Sequence, residues 1–276
     1  SQAILRAETA PEIRGRAFGL MGSFIGTGAA AGPLLGGVVT ALAGWQGVFL
    51  VNVPIVAAAL IGVAPVTGTE VAEQRTGSTD RLRHVLTTRT YTAAFLTQST
   101  TTFGQYSLLL AIPMVLDARG WGSGRVGAAL VTLTAGMVLM GPVGGRAGDR
   151  RGRRWPVVTG VALATAAMTL ATATVEAGWV GLVIAMTVFG FGLGFAVPSV
   201  QIAALESVPT HFAGSAAGVL SVSRYTGSIP ASVVLAVLVS DGGDGAMTLV
   251  AVASVAMAVA LWAASRLPSR TPTEGD

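Results

Sequence analysis

The chain has 276 residues, of which 52% are hydrophobic and only 11% are charged. Soluble domains of this size carry about a quarter charged residues, so the composition favours a membrane protein. Cysteine is absent, which excludes disulfides and thiolate metal sites. The formal net charge is +4, and every basic residue counted in it is an arginine, since the chain contains no lysine.

Apolar segments long enough to cross a bilayer follow one another along the chain. A spanning helix needs about 20 apolar residues. Seven of the eight segments that qualify contain no Asp, Glu, Arg or His, and the remaining one holds Arg224. In chain order the segments are 17–43, 46–65, 92–116, 126–144, 156–175, 178–200, 213–240 and 246–265. This series predicts an all-α, polytopic membrane protein, because buried soluble helices do not recur in this way.

The arginines collect on one side of the predicted membrane. When alternate connections are assigned to opposite sides, fourteen arginines fall on one side and only Arg119 and Arg125 on the other. The positive-inside rule places the larger group, including the loops 66–91 and 146–155, in the cytoplasm. Arginines there set the topology and meet anionic headgroups, so the positive charge does not call for a nucleic-acid partner.

A polar connection at 66–91 separates two predicted helices from six. The predicted organisation is therefore 1–65, with two spans, an interdomain loop at 66–91, a six-helix part at 92–265 and a polar tail at 266–276. The first residue is Ser, and no signal peptide precedes the first apolar run. We therefore expect the chain to be a piece that lacks four upstream helices.

The first predicted helix has a run of small residues, GTGAAAGPLLGG at 26–37. Gly28, Gly32 and Gly36 recur every four residues, which puts them on one helical face. Small residues let membrane helices approach closely, and Pro33 removes a backbone donor and bends the helix. The run predicts a kinked helix pressed against a neighbour. Plain helix packing without a special role is the alternative.

A second motif, GRAGDRRGRR at 145–154, joins two predicted helices through a short turn. Glycines suit such a turn, and Asp149 is placed either to cap the next helix or to pair with an arginine across the bundle. A pair of this kind holds one conformation closed and releases in another. The alternative is an anchor loop on the inner side. The residues of this predicted gating loop are Gly145, Asp149, Arg150, Gly152, Arg153 and Arg154.

These motifs resemble those of the drug/proton antiporter branch of the major facilitator superfamily. The segment 28–37 resembles the antiporter motif G-x-x-x-G-P-x-x-G-G of that family's fifth helix, and WQGVFLVNVP at 45–54 resembles the start of its sixth. The segment 145–154 resembles the family's G-x-x-x-D-R-x-G-R-R loop, and 213–227 is more loosely similar to the start of its eleventh helix. The matched antiporter residues are Gly28, Gly32, Pro33, Gly36 and Gly37.

The resemblance implies a major facilitator superfamily-like helical bundle, with eight transmembrane helices present of an expected twelve. It also implies proton-coupled efflux of a hydrophobic drug or similar small molecule by alternating access, in a bacterial inner (plasma) membrane. The complete protein is expected to be a monomer without a cofactor. Two alternatives stay open: a carrier for a nutrient or metabolite, and a membrane scaffold without a transport cycle.

Polar residues inside the predicted spans are candidates for a substrate cavity. Arg224 is the one charge in mid-span, and such a charge is costly unless it is paired or faces water. Gln98, Gln105 and Tyr106 belong to a polar cluster that must hydrogen-bond or line water. Snorkelling of Arg224 and helix–helix hydrogen bonds are the alternatives. Glu206, at a helix end, is expected to be a solvated or capping carboxylate, and no catalytic motif points to an enzyme.

Overall fold

The computed structural model describes residues 2–63, 86–121, 123–209, 212–238 and 243–269, which are almost entirely helical and contain no strand. The all-α prediction is confirmed for this part of the chain. The helices are α1 (Gln2–Glu8), α2 (Arg14–Val63), α3 (Arg89–Ala118), α4 (Ser123–Arg151), α5 (Arg154–Ala177), α6 (Trp179–Glu206), α7 (Ala213–Leu238) and α8 (Gly243–Ser265), with a short 3-10 turn at Pro11–Ile13 before α2.

Helix α2 contains both of the first two predicted spans. Its helical dihedrals are interrupted at Gly44, where φ is +71° and ψ is −179°. Only glycine adopts this conformation readily. The interruption therefore falls between the predicted segments 17–43 and 46–65, while the helical backbone continues through Pro33.

Five stretches of the described helices are long and apolar enough to cross a membrane: Leu42–Gly62, Gly124–Arg151, Arg154–Thr172, Trp179–Glu206 and Gly245–Ser265. The predicted span 17–43 forms the first part of α2. The predicted spans 92–116 and 213–240 fall in α3 and α7. Hydropathy is lower there because α3 carries a run of Ser, Thr and Gln and α7 carries Arg224. The predicted loop at 66–91 and tail at 266–276 lie mostly outside the described residues.

The helices pack into a bundle in which α6 lies against α4 and α5, while α3 lies against α7 and α8. The core between them is made of apolar side chains such as Leu133, Met168, Phe189, Leu193 and Met257. Helix α2 joins the bundle through α4. The charged segments at the ends of α2, α4, α5 and α6 are thereby brought together.

Glycines on two faces of α4 bring its backbone close to both neighbours. A Cβ atom on Gly136 would lie 2.8 Å from the carbonyl oxygen of Thr187 in α6. On the opposite side, a Cβ atom on Gly141 would lie 3.0 Å from the carbonyl oxygen of Gly19 in α2. Close backbone approach of this kind is how membrane helices associate, so α4 is held between α2 and α6.

Candidate gating site at the arginine-rich end

One end of the bundle collects most of the described arginines, and we call it the arginine-rich end. It is the end at which α2 and α5 begin and α4, α6 and α8 terminate. The turn between α4 and α5 lies there and is formed by Gly152, whose φ is +84°. A left-handed glycine directly after a helix lets the chain reverse, which confirms the tight turn predicted for the segment 145–154.

Asp149, in the last turn of α4, caps the start of α2. Its Oδ1 accepts a hydrogen bond from the backbone N–H of Gly15 at 2.8 Å, and its Oδ2 accepts one from the N–H of Arg16 at 3.0 Å. The first N–H groups of a helix have no partner within the helix and carry partial positive charge. The Asp149 carboxylate supplies acceptors for these N–H groups and a negative charge next to their partial positive charge. Asp149 therefore caps α2 rather than the next helix, α5.

Arg153 joins Asp149 to the end of α6. Its Nη1 donates to Asp149 Oδ1 at 2.6 Å, while its Nε and Nη2 donate to the two carboxylate oxygens of Glu206 at 3.3 and 3.1 Å. The Arg153 side chain is only 4% exposed. We call Asp149, Arg153 and Glu206, together with the N–H groups of Gly15 and Arg16, the gating network.

Burial and the two carboxylates act in opposite directions on the guanidinium of Arg153. Burial by itself lowers its pKa, but the hydrogen bonds and negative charges of Glu206 and Asp149 outweigh burial and raise the pKa above its ordinary value. Arg153 is therefore charged at every pH at which a carboxylate titrates.

Close helix contact accompanies the gating network. A Cβ atom on Gly15 would collide with the backbone carbonyl of Gly145, and one on Gly19 with that of Gly141. One turn further along α2, Ser23 Oγ donates to the carbonyl oxygen of Val138 at 2.7 Å. The start of α2 is thus pressed against the end of α4 from Gly15 to Ser23, which is about two and a half turns at 3.6 residues per turn.

Two further contacts tie α1 to the same end of the bundle. Gln2 Nε2 donates to Gln201 Oε1 at 3.2 Å, and Arg6 Nη2 donates to the carbonyl oxygen of Val208 at 3.1 Å. Both contacts join α1 to α6 or to the segment that follows it. The helices α1 and α2 are therefore held to the rest of the bundle by polar bonds and glycine contacts at the arginine-rich end.

The residues of the predicted gating loop separate into two groups. Gly145, Asp149, Gly152 and Arg153 take part in the contacts above, whereas Arg150 and Arg154 are exposed. Neither exposed arginine has an ion pair with any residue that the structure describes. The pattern of the loop alone did not distinguish the buried arginine from the exposed ones.

Glu206 is a functional candidate that the sequence reasoning misjudged. It is not solvated: its side chain is 14% exposed, and it pairs with Arg153 and lies 3.9 Å from Arg14 Nη1. The available signal was the position of Glu206, a carboxylate at the end of an apolar span on the same side as the arginine-rich loop. Across the described parts of the chain, no group of three or more His, Asp or Glu side chains could hold a metal ion.

The antiporter motif lies within α2, but its predicted contact is not seen at Gly28. Gly28 is exposed, and a Cβ atom there would meet open space. The close approach of α2 to a neighbour occurs earlier, at Gly15 and Gly19, because these residues face α4. The surroundings of the other four motif positions lie outside what the structure describes, so the role of the positions Gly32, Pro33, Gly36 and Gly37 stays a prediction.

The predicted cavity residues lie on helices that pack together. Gln98 is 5% exposed, and its Nε2 donates to Thr102 Oγ1 at 3.3 Å, while its Oε1 has no hydrogen-bond partner among the described residues. Gln105 is half-buried, with its Nε2 3.5 Å from Met137 Sδ. Tyr106 is 37% exposed.

Arg224 is half-buried in α7, three residues from the point where Gly227 meets α3. A Cβ atom on Gly227 would lie 2.8 Å from the backbone nitrogen of Phe103, and nearby Ser99 Oγ and Thr226 Oγ1 share a hydrogen bond of 2.8 Å. Neither a hydrogen bond nor an ion pair links Arg224 to any other described residue. The structure therefore brings the two polar helices together without joining Arg224 to the glutamines.

A bundle of apolar helices that crosses a membrane several times and carries its polar network at one end is a multi-pass membrane protein. The family model of the Major Facilitator Superfamily matches residues 1–232 and, in a second overlapping match, residues 94–276. The chain belongs to the Major Facilitator Superfamily, which confirms the resemblance seen in its motifs.

Three relatives illustrate what the chain is similar to. The methylenomycin A resistance protein of Bacillus subtilis is 56% identical over 48 residues, which cover 17% of this chain and 10% of the relative. The multidrug resistance protein Stp of Mycobacterium tuberculosis is 20% identical over 271 residues, covering 78% of this chain and 50% of Stp. The riboflavin transporter RibZ of Clostridioides difficile is 35% identical over 51 residues, covering 18% and 11%. The chain thus spans no more than half the length of these relatives.

Proposed function

We propose that the chain forms part of a secondary active transporter that exports hydrophobic drugs or similar small molecules in exchange for protons. Transport would proceed by alternating access, with two groups of helices rocking about a central site. The observation that carries the proposal is the gating network, in which one carboxylate of α4 holds the start of α2. This contact closes the arginine-rich end.

The chemistry of the gating network suits a reversible closure. Its bonds join the end of α4 to the start of α2 and, through Arg153, to the end of α6. Separating α2 from α4 breaks the two backbone hydrogen bonds to Asp149 and the contact of Ser23, while the Arg153–Glu206 pair stays with α5 and α6. Packed interfaces of this kind switch between discrete states rather than deforming continuously.

The relatives support efflux as the direction of transport. Two of the three carry names of resistance proteins, and the motif at 28–37 resembles that of antiporters. Within this proposal the arginine-rich end faces the cytoplasm of a bacterial plasma membrane, following the positive-inside rule. Gln98, Gln105, Tyr106 and Arg224 line the substrate cavity, where a polar α3 packs on the charged α7.

The experiment measures opening of the arginine-rich end through an introduced thiol. Because the chain has no cysteine, Ser23→Cys places a single reactive group between α2 and α4. In Asp149→Asn a single amide oxygen is left to accept from the start of α2, and the ion pair with Arg153 is lost. Coupling free energies that bias an equilibrium of this kind are typically about 1–3 kcal/mol. We expect maleimide to react with the cysteine about fivefold faster or more, and proton-driven dye efflux to fall.

Arg154→Gln is the matched control, since it removes an exposed arginine of the same loop that has no described ion pair. Its labelling rate and its efflux should equal those of the unsubstituted protein, expressed from the same gene. If Asp149→Asn labels no faster than Arg154→Gln, the proposed closure by the gating network is wrong.

A carrier for a nutrient or metabolite is the second candidate, because one of the relatives is named as a riboflavin transporter. Counterflow of riboflavin or another metabolite into reconstituted vesicles, without a proton gradient, would favour this function. Dye movement that stops when the gradient is collapsed would favour drug export. A scaffold without a transport cycle is supported only if none of the added substrates causes proton movement across the membrane of the same vesicles.

A further inference from the structure

Two exposed pairs of arginine and tryptophan lie at the arginine-rich end, outside the gating network. The guanidinium of Arg151 lies over the ring of Trp155, 4.9 Å from its centroid, and that of Arg266 lies over the ring of Trp262 at 4.7 Å. Trp155 is 41% and Trp262 55% exposed. We call these four residues the Arg–Trp edge.

The two pairs belong to neighbouring helices. Helix α5, which begins next to Trp155, packs against α8, which carries Trp262 near its end. A hydrogen bond from Thr165 Oγ1 to the carbonyl oxygen of Met257, at 3.4 Å, joins these helices. At their ends a Cβ atom on Gly152 would collide with the carbonyl oxygen of Ser269. The two pairs therefore lie at the same end of the bundle, on either side of the contact between Gly152 and Ser269.

Both guanidinium groups of the Arg–Trp edge are held over an indole ring and have no carboxylate partner among the described residues. The ion pairs among the described residues use Arg14 and Arg153, and neither Arg151 nor Arg266 has one. Trp155 is itself fixed by an edge-on contact with Phe195, with centroids 5.5 Å apart. A guanidinium stacked on an indole keeps its N–H donors directed outward, where they match the two oxygens of a phosphate.

We propose that the Arg–Trp edge binds the headgroup of an anionic phospholipid. Tryptophan prefers the level of the headgroups in a bilayer, and basic groups between helix ends at that level attract anionic lipids. The exposed apolar faces of α5 and α8 lie beside the acyl chains, for example at Leu163 and Val259. The site is independent of substrate transport, because none of its four residues belongs to the gating network or to the candidate cavity.

The test is native mass spectrometry of the chain in detergent, titrated with phosphatidylglycerol or phosphatidylcholine. Each guanidinium near a lipid surface contributes about fivefold in affinity. We therefore expect phosphatidylglycerol to bind at least tenfold more tightly than phosphatidylcholine. This preference should disappear in the double variant Arg151→Gln with Arg266→Gln. Circular dichroism of both proteins checks that the helices are intact.

The control is Arg150→Gln with Arg154→Gln, which removes two exposed arginines of the same end that are not stacked on an indole. It should keep the preference for phosphatidylglycerol. Equal losses in the two double variants would mean diffuse attraction to a basic surface and would overturn the site. The site is also wrong if both lipids bind equally well to the unsubstituted chain, or if free glycerol 3-phosphate binds as tightly as the lipid.

Discussion

Arg153 and Glu206 illustrate how a buried charge becomes acceptable next to a membrane. A guanidinium that is 4% exposed would be costly alone, because a low-dielectric surrounding disfavours an isolated charge. Here two carboxylates accept three of its N–H groups. The arrangement fixes the α4–α5 turn against α6, while both oxygens of Asp149 also accept hydrogen bonds from the start of α2.

Arg224 gives a test at the residue scale. Its half-buried side chain has no ion pair among the described residues, so a substrate group or water is the expected partner. We expect Arg224→Gln to raise the KM for dye efflux about tenfold or more, since a charge-assisted hydrogen bond contributes about 1.5–3 kcal/mol. Arg224→Lys should recover part of the loss by keeping the charge. An unchanged KM in Arg224→Gln, with efflux otherwise normal, would remove Arg224 from the cavity.

At the scale of single elements, α2 is the helix whose parts differ most. Its first turns carry Gly15 and Gly19 into close contact with α4, while Gly22 and Gly28 meet open space. The same residue type therefore serves as a contact surface at two positions and not at two others. The spacing of glycines predicted that α2 has a smooth face, but the helix it meets and the register of contact depend on where α4 lies.

The antiporter motif gives the test at this scale. We expect Gly32→Leu to abolish proton-driven dye efflux, because a leucine would prevent the close helix approach for which the motif is built. Gly22→Leu, on the same helix but outside the motif and facing open space, should leave efflux unchanged. The efflux of both variants is compared at equal amounts of protein in the membrane. Full efflux by Gly32→Leu would remove the role given to the motif.

At the scale of the whole molecule, the distribution of arginine predicts the orientation in the membrane. Single cysteines at Ser78 and Ser123 can be labelled separately, since the chain has none of its own. An impermeant maleimide added to intact cells should reach Ser123→Cys and leave Ser78→Cys unlabelled until the cells are opened. The reverse result would invert the topology and would exclude efflux through a cytoplasmic gate at the arginine-rich end.

The sequence by itself determined the class of protein, the helices and the motifs. Long apolar runs can satisfy their backbone in lipid only as helices, so composition and span length were enough to predict an all-α membrane bundle. The break at Gly44 and the turn at Gly152 were also predictable, because each falls between two apolar runs. The resemblance of the loop at 145–154 singled out Asp149 and Arg153, which are hydrogen-bonded to each other in the structure.

Only the tertiary structure decided which partners these residues have. Asp149 accepts hydrogen bonds from N–H groups that lie at least 133 residues away in the sequence. Arg153 is 53 residues away in the sequence from its partner Glu206. No local pattern specifies contacts over such distances, because they depend on how the helices pack. For the same reason, the sequence could not tell that Arg153 is buried, that Arg150 and Arg154 are exposed, or that Glu206 is paired.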